Sequence, residues 1–180
     1  KAFPLRIILH SDNSGTVRLL SQVFQGTLAS SPYPIGICTK ESGLKADAKS
    51  SAQLLVAAHL PPETAISGTG SLLLGQTVTH TVILAYNAPT NPYVHTYHPD
   101  HDNLTADFKV YQEEAYGFAR DITVALNADQ DGAGAKNGSE VMKGTYTEVI
   151  RGLHRLPIQV KGQVEMVRVS TLGVINPTTW

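Results

Sequence analysis

The chain has 180 residues, a single cysteine and a formal net charge of −1, and 16% of its residues are charged, against about 25% in ordinary globular proteins. A near-neutral surface without a basic run excludes the clustered Lys and Arg on which nucleic-acid binding rests. The lone Cys38 excludes an intrachain disulfide, and apolar runs such as LLVAAHL (54–60) and TVILAY (81–86) are too short to span a bilayer. The length suits one domain over 1–180, able to bury roughly 70% of its unfolded surface and to fold without staples.

Taken in order, the chain opens on KAFPLRIILHSD without an initiator Met, as a processed mature chain or a piece of a longer one would. Residues 5–9 (LRIIL) and 16–24 (TVRLLSQVF) read as two strands of a hairpin. Asp12, Asn13, Ser14 and Gly15 supply the turn: short polar side chains that bond local backbone, and a glycine for positive φ. Pro32 and Pro34 break the next segment, and IGICT at 35–39 predicts a short strand. Residues 44–60 (LKADAKSSAQLLVAAHL) form the one helix candidate. Leu44, Ala48, Ala52, Leu55, Val56 and His59 fall near one face, Ser42 is placed to cap the start, and Pro61-Pro62 forbid continuation. The run LLVAA inside it is equally compatible with a strand.

The loop GTGSLLLG (68–75) lacks the Lys-Ser/Thr of a phosphate-binding loop and leads into a strand rather than a helix. That strand, QTVTHTVILAY (76–86), alternates so that Val78, His80, Val82 and Leu84 face inward. Further strands are expected at 106–111, 116–128, 144–152 and 158–170, with a bulge at Gly162 and a polar loop, DQDGAGAKNGSE, at 129–140. Short strands separated by turns, without regular helical crossovers, predict an all-β fold: an antiparallel β-sandwich, jelly-roll-like, with one short helix.

The most distinctive stretch is NPYVHTYHPDHDNL (91–104). His95, His98 and His101 stand at i, i+3 and i+6, interleaved with Asp100 and Asp102. Imidazoles and carboxylates on one compact loop can converge on zinc, while calcium would favour the aspartates and backbone carbonyls. The spacing matches neither HExxH nor a Cys/His finger. The competing reading is a structural loop, in which Asp and Asn bond nearby amides and His donates to a carbonyl. A second candidate is NADQDG (127–132). Asn127, Asp129 and Asp131 with Gly132 fit the first half of a calcium loop, but Gly138 stands where the bidentate acid belongs. In TYTEVIRGLHRLP, alternation puts Glu148 and Ile150 on one face and Arg151 on the other, with His154 in a turn. Surface and turn roles are expected for these residues. No GxSxG elbow occurs, and Cys38 has no visible base partner.

The segments FPLRIILHSDNSGTVRLLSQVF, NPYVHTYHPDHDNL and GTYTEVIRGLHRLPIQVKGQVEMVRVS together resemble, over nearly the whole chain and in the same order, a β-rich module of very large secreted or surface proteins of environmental bacteria. The resemblance implies an extracellular setting and a modular, structural role, and it transfers no catalytic residue. It favours a built role for the HPDHDN loop, in holding an ion or anchoring a corner of the fold.

The expected function is therefore a non-enzymatic structural or assembly module at the cell surface. It would pair with other copies of itself, or with neighbouring domains, through edge strands near 3–9 and 163–175. One alternative is a metal-dependent carbohydrate-binding or hydrolytic domain using the His95–Asp102 loop, with Tyr93, Tyr97 and Trp180 stacking on sugar. Another is a virion structural protein.

Overall fold

The computed structural model describes residues 4–29, 35–57, 60–61, 65–93, 116–128 and 140–177. Within them the chain is an antiparallel β-sandwich built from eleven strands: β1 (Ile8–Ser11), β2 (Val17–Leu20), β3 (Gln22–Gly26), β4 (Gly36–Cys38), β5 (Gln53–Val56), β6 (Ala65–Ser67), β7 (Thr69–Gly70), β8 (Thr77–Leu84), β9 (Phe118–Leu126), β10 (Val141–Arg151) and β11 (Ile158–Val167). They form a five-stranded sheet ordered β11-β10-β9-β8-β7 and two three-stranded sheets, β1-β2-β6 and β4-β3-β5.

The first hairpin forms as its turn chemistry predicts. The Asp12 carboxylate accepts from Ser14 N, Thr16 N and the Ser14 hydroxyl, and Gly15 sits at φ +84°. The register is thereby set at Ser11↔Val17 through Ile8↔Leu20. The Ser14 hydroxyl and the Arg18 guanidinium hold the Asp12 carboxyl far below the usual carboxylate range. The expected strand 16–24 is in fact two strands, because the chain changes sheets at Ser21. The adjacent Leu19 and Leu20 explain the break: both are buried, at 0% and 1% exposure, so they fill opposite faces. Leu19 joins the main core with Val82, Ile122 and Val124, and Leu20 joins Val23 and Ile37. The small β1-β2-β6 sheet thus lies between the five-stranded sheet and β4-β3-β5.

The helix expected over 44–60 does not form. Residues Glu41–Gly43 and Ala46–Ser51 make two 3₁₀ turns that bury no residue, and neither has a side-chain cap; Ser42 lies inside the first. The apolar residues of the expected helical face are taken up by strand pairing and by a separate core cluster, so a helix here gains nothing from tertiary packing. Leu44 instead packs with Leu28 and Cys38, and the LLV run becomes β5, paired with β3 from Gln22↔Val56 to Gln25↔Gln53. The predicted bulge at Gly162 is also absent. The β10–β11 register runs unbroken from Val141↔Val167 to Ile150↔Ile158, with Gly162 opposite Tyr146. The strand expected at 106–111 lies outside the described residues.

The five-stranded sheet follows its period-two pattern. Val78, His80, Val82 and Leu84 are buried on β8, and Phe118, Arg120, Ile122, Val124 and Leu126 on β9. The outer face carries hydroxyls. One register row crosses all five strands as Thr69, Thr79, Thr123, Thr147 and Lys161, and the Thr69 and Thr79 hydroxyls bond at 2.6 Å.

Candidate association surface

Among the described residues, two strand edges and the space between them form one open surface feature. Among the described residues β11 pairs only with β10, and β1 only with β2. Each therefore has a main-chain flank without a strand beside it. Both flanks border one open cleft of about 1150 Å³, lined on one side by residues 4–11 and on the other by Met142 and residues 164–172. Its walls are largely apolar: Leu5, Ile7 and Leu9 meet Met142, Val164 and Met166, which are only partly buried against the main core. Strand order explains the opening. The middle layer has three strands where the large sheet has five, so the inner face of β11 is incompletely covered.

Beyond β11 the chain continues as a strap, residues 168–177. Arg168 N donates to Glu140 O, and Asn176 N donates to Ile37 O at 3.1 Å. Ile175 makes a single parallel bridge to Ile37 at the edge of β4. Asn176 Oδ1 accepts from Thr39 N at 2.8 Å, and its Nδ2 donates to the Thr39 hydroxyl at 2.9 Å. Leu172 and Ile175 pack against Leu20, Val23 and Ile37. The strap is thus pinned at its far end, and His10 Nε2 meets Leu172 O at 3.2 Å.

Buried polar groups join neighbouring strands on the inner face of the five-stranded sheet. Arg120 and Glu148 form an ion pair inside the sandwich, with side chains 5% and 4% exposed. Arg120 Nε donates to Glu148 Oε1 and Nη2 to Oε2, while the Tyr146 hydroxyl donates to Oε2 at 2.7 Å. Burial works against the Arg120 charge, and the Glu148 carboxylate more than offsets it, so the guanidinium stays firmly protonated. Burial, then Glu148, pushes the Tyr146 phenol far above its usual range. This corrects the expected surface role of Glu148. The alternation correctly put Glu148 on the face opposite Arg151, but that face is the core. Arg151 does lie outside, bonded to Asp121 at 2.8 and 3.0 Å, and His154 does sit in a turn, accepting from Leu156 N.

His10 and His80 are also buried, and each leaves one ring nitrogen, Nδ1 and Nε2 respectively, without a hydrogen-bond partner. Burial lowers both pKa values below 6.5, partly opposed by a carbonyl each, Leu172 for His10 and Val17 for His80. In the unfolded chain both imidazoles gain protons as pH falls through about 6.5, while in the fold they resist until lower pH. Their contribution is therefore fully present above about pH 6.5 and declines as pH falls below it. Thermal unfolding followed from about pH 7.5 to about pH 5 should show a midpoint falling by several degrees, and a His80→Gln variant should show a shallower fall. A flat midpoint in the unmodified chain would mean that acid reaches both rings freely.

The sequence-derived metal loop, His95, His98, Asp100, His101 and Asp102, lies outside the described residues, as do Tyr97, Asp129, Asp131 and Trp180. Asn127 closes a sheet end through its backbone, donating to Lys143 O and accepting from Gly75 N. Tyr93 sets its ring edge-on to Phe118, with centroids 5.2 Å apart. At the head of the same stretch Asn91 is buried and bonds the carbonyls of Ala85, Tyr86 and Tyr116. It clasps the chain leaving β8 to the chain about to form β9. Among the described residues no group of three or more His, Cys, Asp or Glu converges as a metal site would require, and no helix is long and apolar enough to cross a membrane. No protein-family model, curated protein or solved structure matches the chain.

Proposed function

We propose that this chain is a non-enzymatic structural module of an extracellular bacterial surface protein or filament, and that it associates with other copies, or with neighbouring domains, through its edge strands. The observation that carries the reading is the convergence of β1 and β11, both sheet edges, on one apolar cleft. Unpaired main-chain groups along a strand are a template for another strand, and apolar positions beside them give register. The charge-poor composition and the resemblance to modules of secreted bacterial proteins support the setting.

The reading is tested at β11, where Gln159 and Gln163 are exposed on the outer side of the edge. Replacing both with lysine beside the native Lys161 places like charges opposite one another when two β11 strands pair antiparallel. The unmodified chain is expected to sediment as oligomers and the variant largely as monomer, with an unchanged circular dichroism spectrum. A strictly monomeric unmodified chain at high concentration would refute the proposal.

A further inference from the structure

We infer that the cleft is the seat of a fourth strand of the middle layer: an extended, uncharged peptide segment of a partner, apolar on both faces, that pairs with the flank of β1 and lies over β11. The inference deepens the assembly reading above and rests on it, naming what that edge takes. Shape is the first support. Eight successive residues, 4–11, line one side of the cleft and nine, 164–172, the other. Eight residues of extended chain span about 26 Å. Spread over that length, the 1150 Å³ of the cleft has a mean section of roughly 45 Å². One strand inside a layered sheet fills about 4.8 Å sideways and 10 Å between layers, or about 48 Å². The cleft is therefore long and narrow on the scale of a single strand.

The walls state the chemistry of the occupant. A strand laid beside β1 takes its register from main-chain groups, which ask nothing of side chains. Its two faces meet different clusters. On one side stand Val164 and Met166, partly buried against the main core. On the other stand Val23, Ile37 and Leu172, members of the second cluster that also line the cleft. A strand buried on both faces reads as a continuous apolar run rather than an alternating one. The centre of the same layer already shows this demand, since Leu19 and Leu20 on β2 are both buried, one toward each cluster. The charged side chains that line the cleft are Arg6, Glu140, Glu165 and Arg168, two of each sign and all exposed. They balance, so the cleft selects for no net charge and disfavours an acidic or basic segment.

The test titrates the full chain with three fluorescent peptides of equal length, each carrying a soluble polyethylene-glycol tail. The first alternates valine and isoleucine. The second has threonine at every second position, and the third has proline at the centre of the first. Fluorescence anisotropy is expected to show binding of the first, roughly tenfold weaker binding of the second, which leaves one face polar, and none of the third, which cannot complete the ladder. Val164→Lys with Met166→Lys should weaken the first peptide roughly tenfold or more with an unchanged circular dichroism spectrum. Should that variant not fold, a photo-reactive group at the centre of the first peptide gives the same answer on the unmodified chain: peptide mapping is expected to find the label on residues 4–11 or 164–172. Equal binding of all three peptides, labelling elsewhere, or no binding overturns the inference. Sedimentation of the chain without peptide separates this result from the reading it rests on. Oligomers that bind no peptide leave edge pairing standing and remove the inserted strand; a monomer that binds the first peptide keeps the seat and removes self-association.

Discussion

Replacing Glu148 with alanine is expected to lower the unfolding free energy by about 3–5 kcal/mol, because it strips a buried guanidinium of its carboxylate. That is a large share of the roughly 5–15 kcal/mol that holds a typical domain folded. Arg120 stands on β9 in the row of Val82 and Ile150, and Glu148 on β10 one row away, so the pair bridges the centre of the inner face. The loss reflects the uncompensated charge rather than the net worth of the pair. Replacing both partners with apolar residues of similar volume, Arg120→Met with Glu148→Leu, should therefore recover most of the stability. Tyr146→Phe, which removes one bond to the carboxylate and keeps the ring, should cost about 1 kcal/mol. Urea unfolding of the four chains gives the ordering directly. A Glu148→Ala midpoint close to that of Tyr146→Phe would mean that water reaches Arg120, and the sandwich would then be more open than its geometry indicates.

Leu19→Ala and Leu20→Ala should each cost about 2–5 kcal/mol, the range for deleting a fully buried leucine. Equality between neighbours is the informative result. In a sheet with one buried face, adjacent residues alternate between core and solvent, and one of the two truncations is nearly silent. Here Leu19 enters the core against the five-stranded sheet and Leu20 the core against β4-β3-β5. Ile83, on the outer face of β8 and 73% exposed, provides the reference, and Ile83→Ala should stay within about 0.5 kcal/mol. Denaturant midpoints measure all three. A cheap Leu20→Ala would show that the β4-β3-β5 sheet is a loosely held annex. An expensive one makes it part of the same cooperative unit.

These residues also show how far the sequence could be read. The hairpin at Asp12–Gly15 and the inward face of β8 were legible because both rest on local rules, turn chemistry and period-two alternation. The split at Ser21 was visible only as a lapse in alternation, Leu19 beside Leu20, whose meaning depends on a third layer that local pattern does not encode. Residues 44–60 fit a helical period, but Leu55 and Val56 are claimed by pairing with β3 and Leu44 by packing with Leu28 and Cys38, which local pattern does not encode. Glu148 was placed on the correct side of its strand, but a charge there reads as surface until Arg120, 28 residues earlier, is known to lie beside it. For the association surface, the expected contact strands near 3–9 and 163–175 only overlap the edges β1 (Ile8–Ser11) and β11 (Ile158–Val167). Their convergence on one cleft was not foreseen, since it depends on three strands being laid over five.

The hydroxyl row across the outside of the large sheet bears on the shape of anything these modules build. Stripping hydration from an exposed hydroxyl without giving it a new bond costs roughly 1–3 kcal/mol. Lamination, one broad plane pressed on another, is thereby discouraged along the whole row. An assembly of the kind proposed above would therefore be steered into the plane and along the rims, rather than stacked face on face.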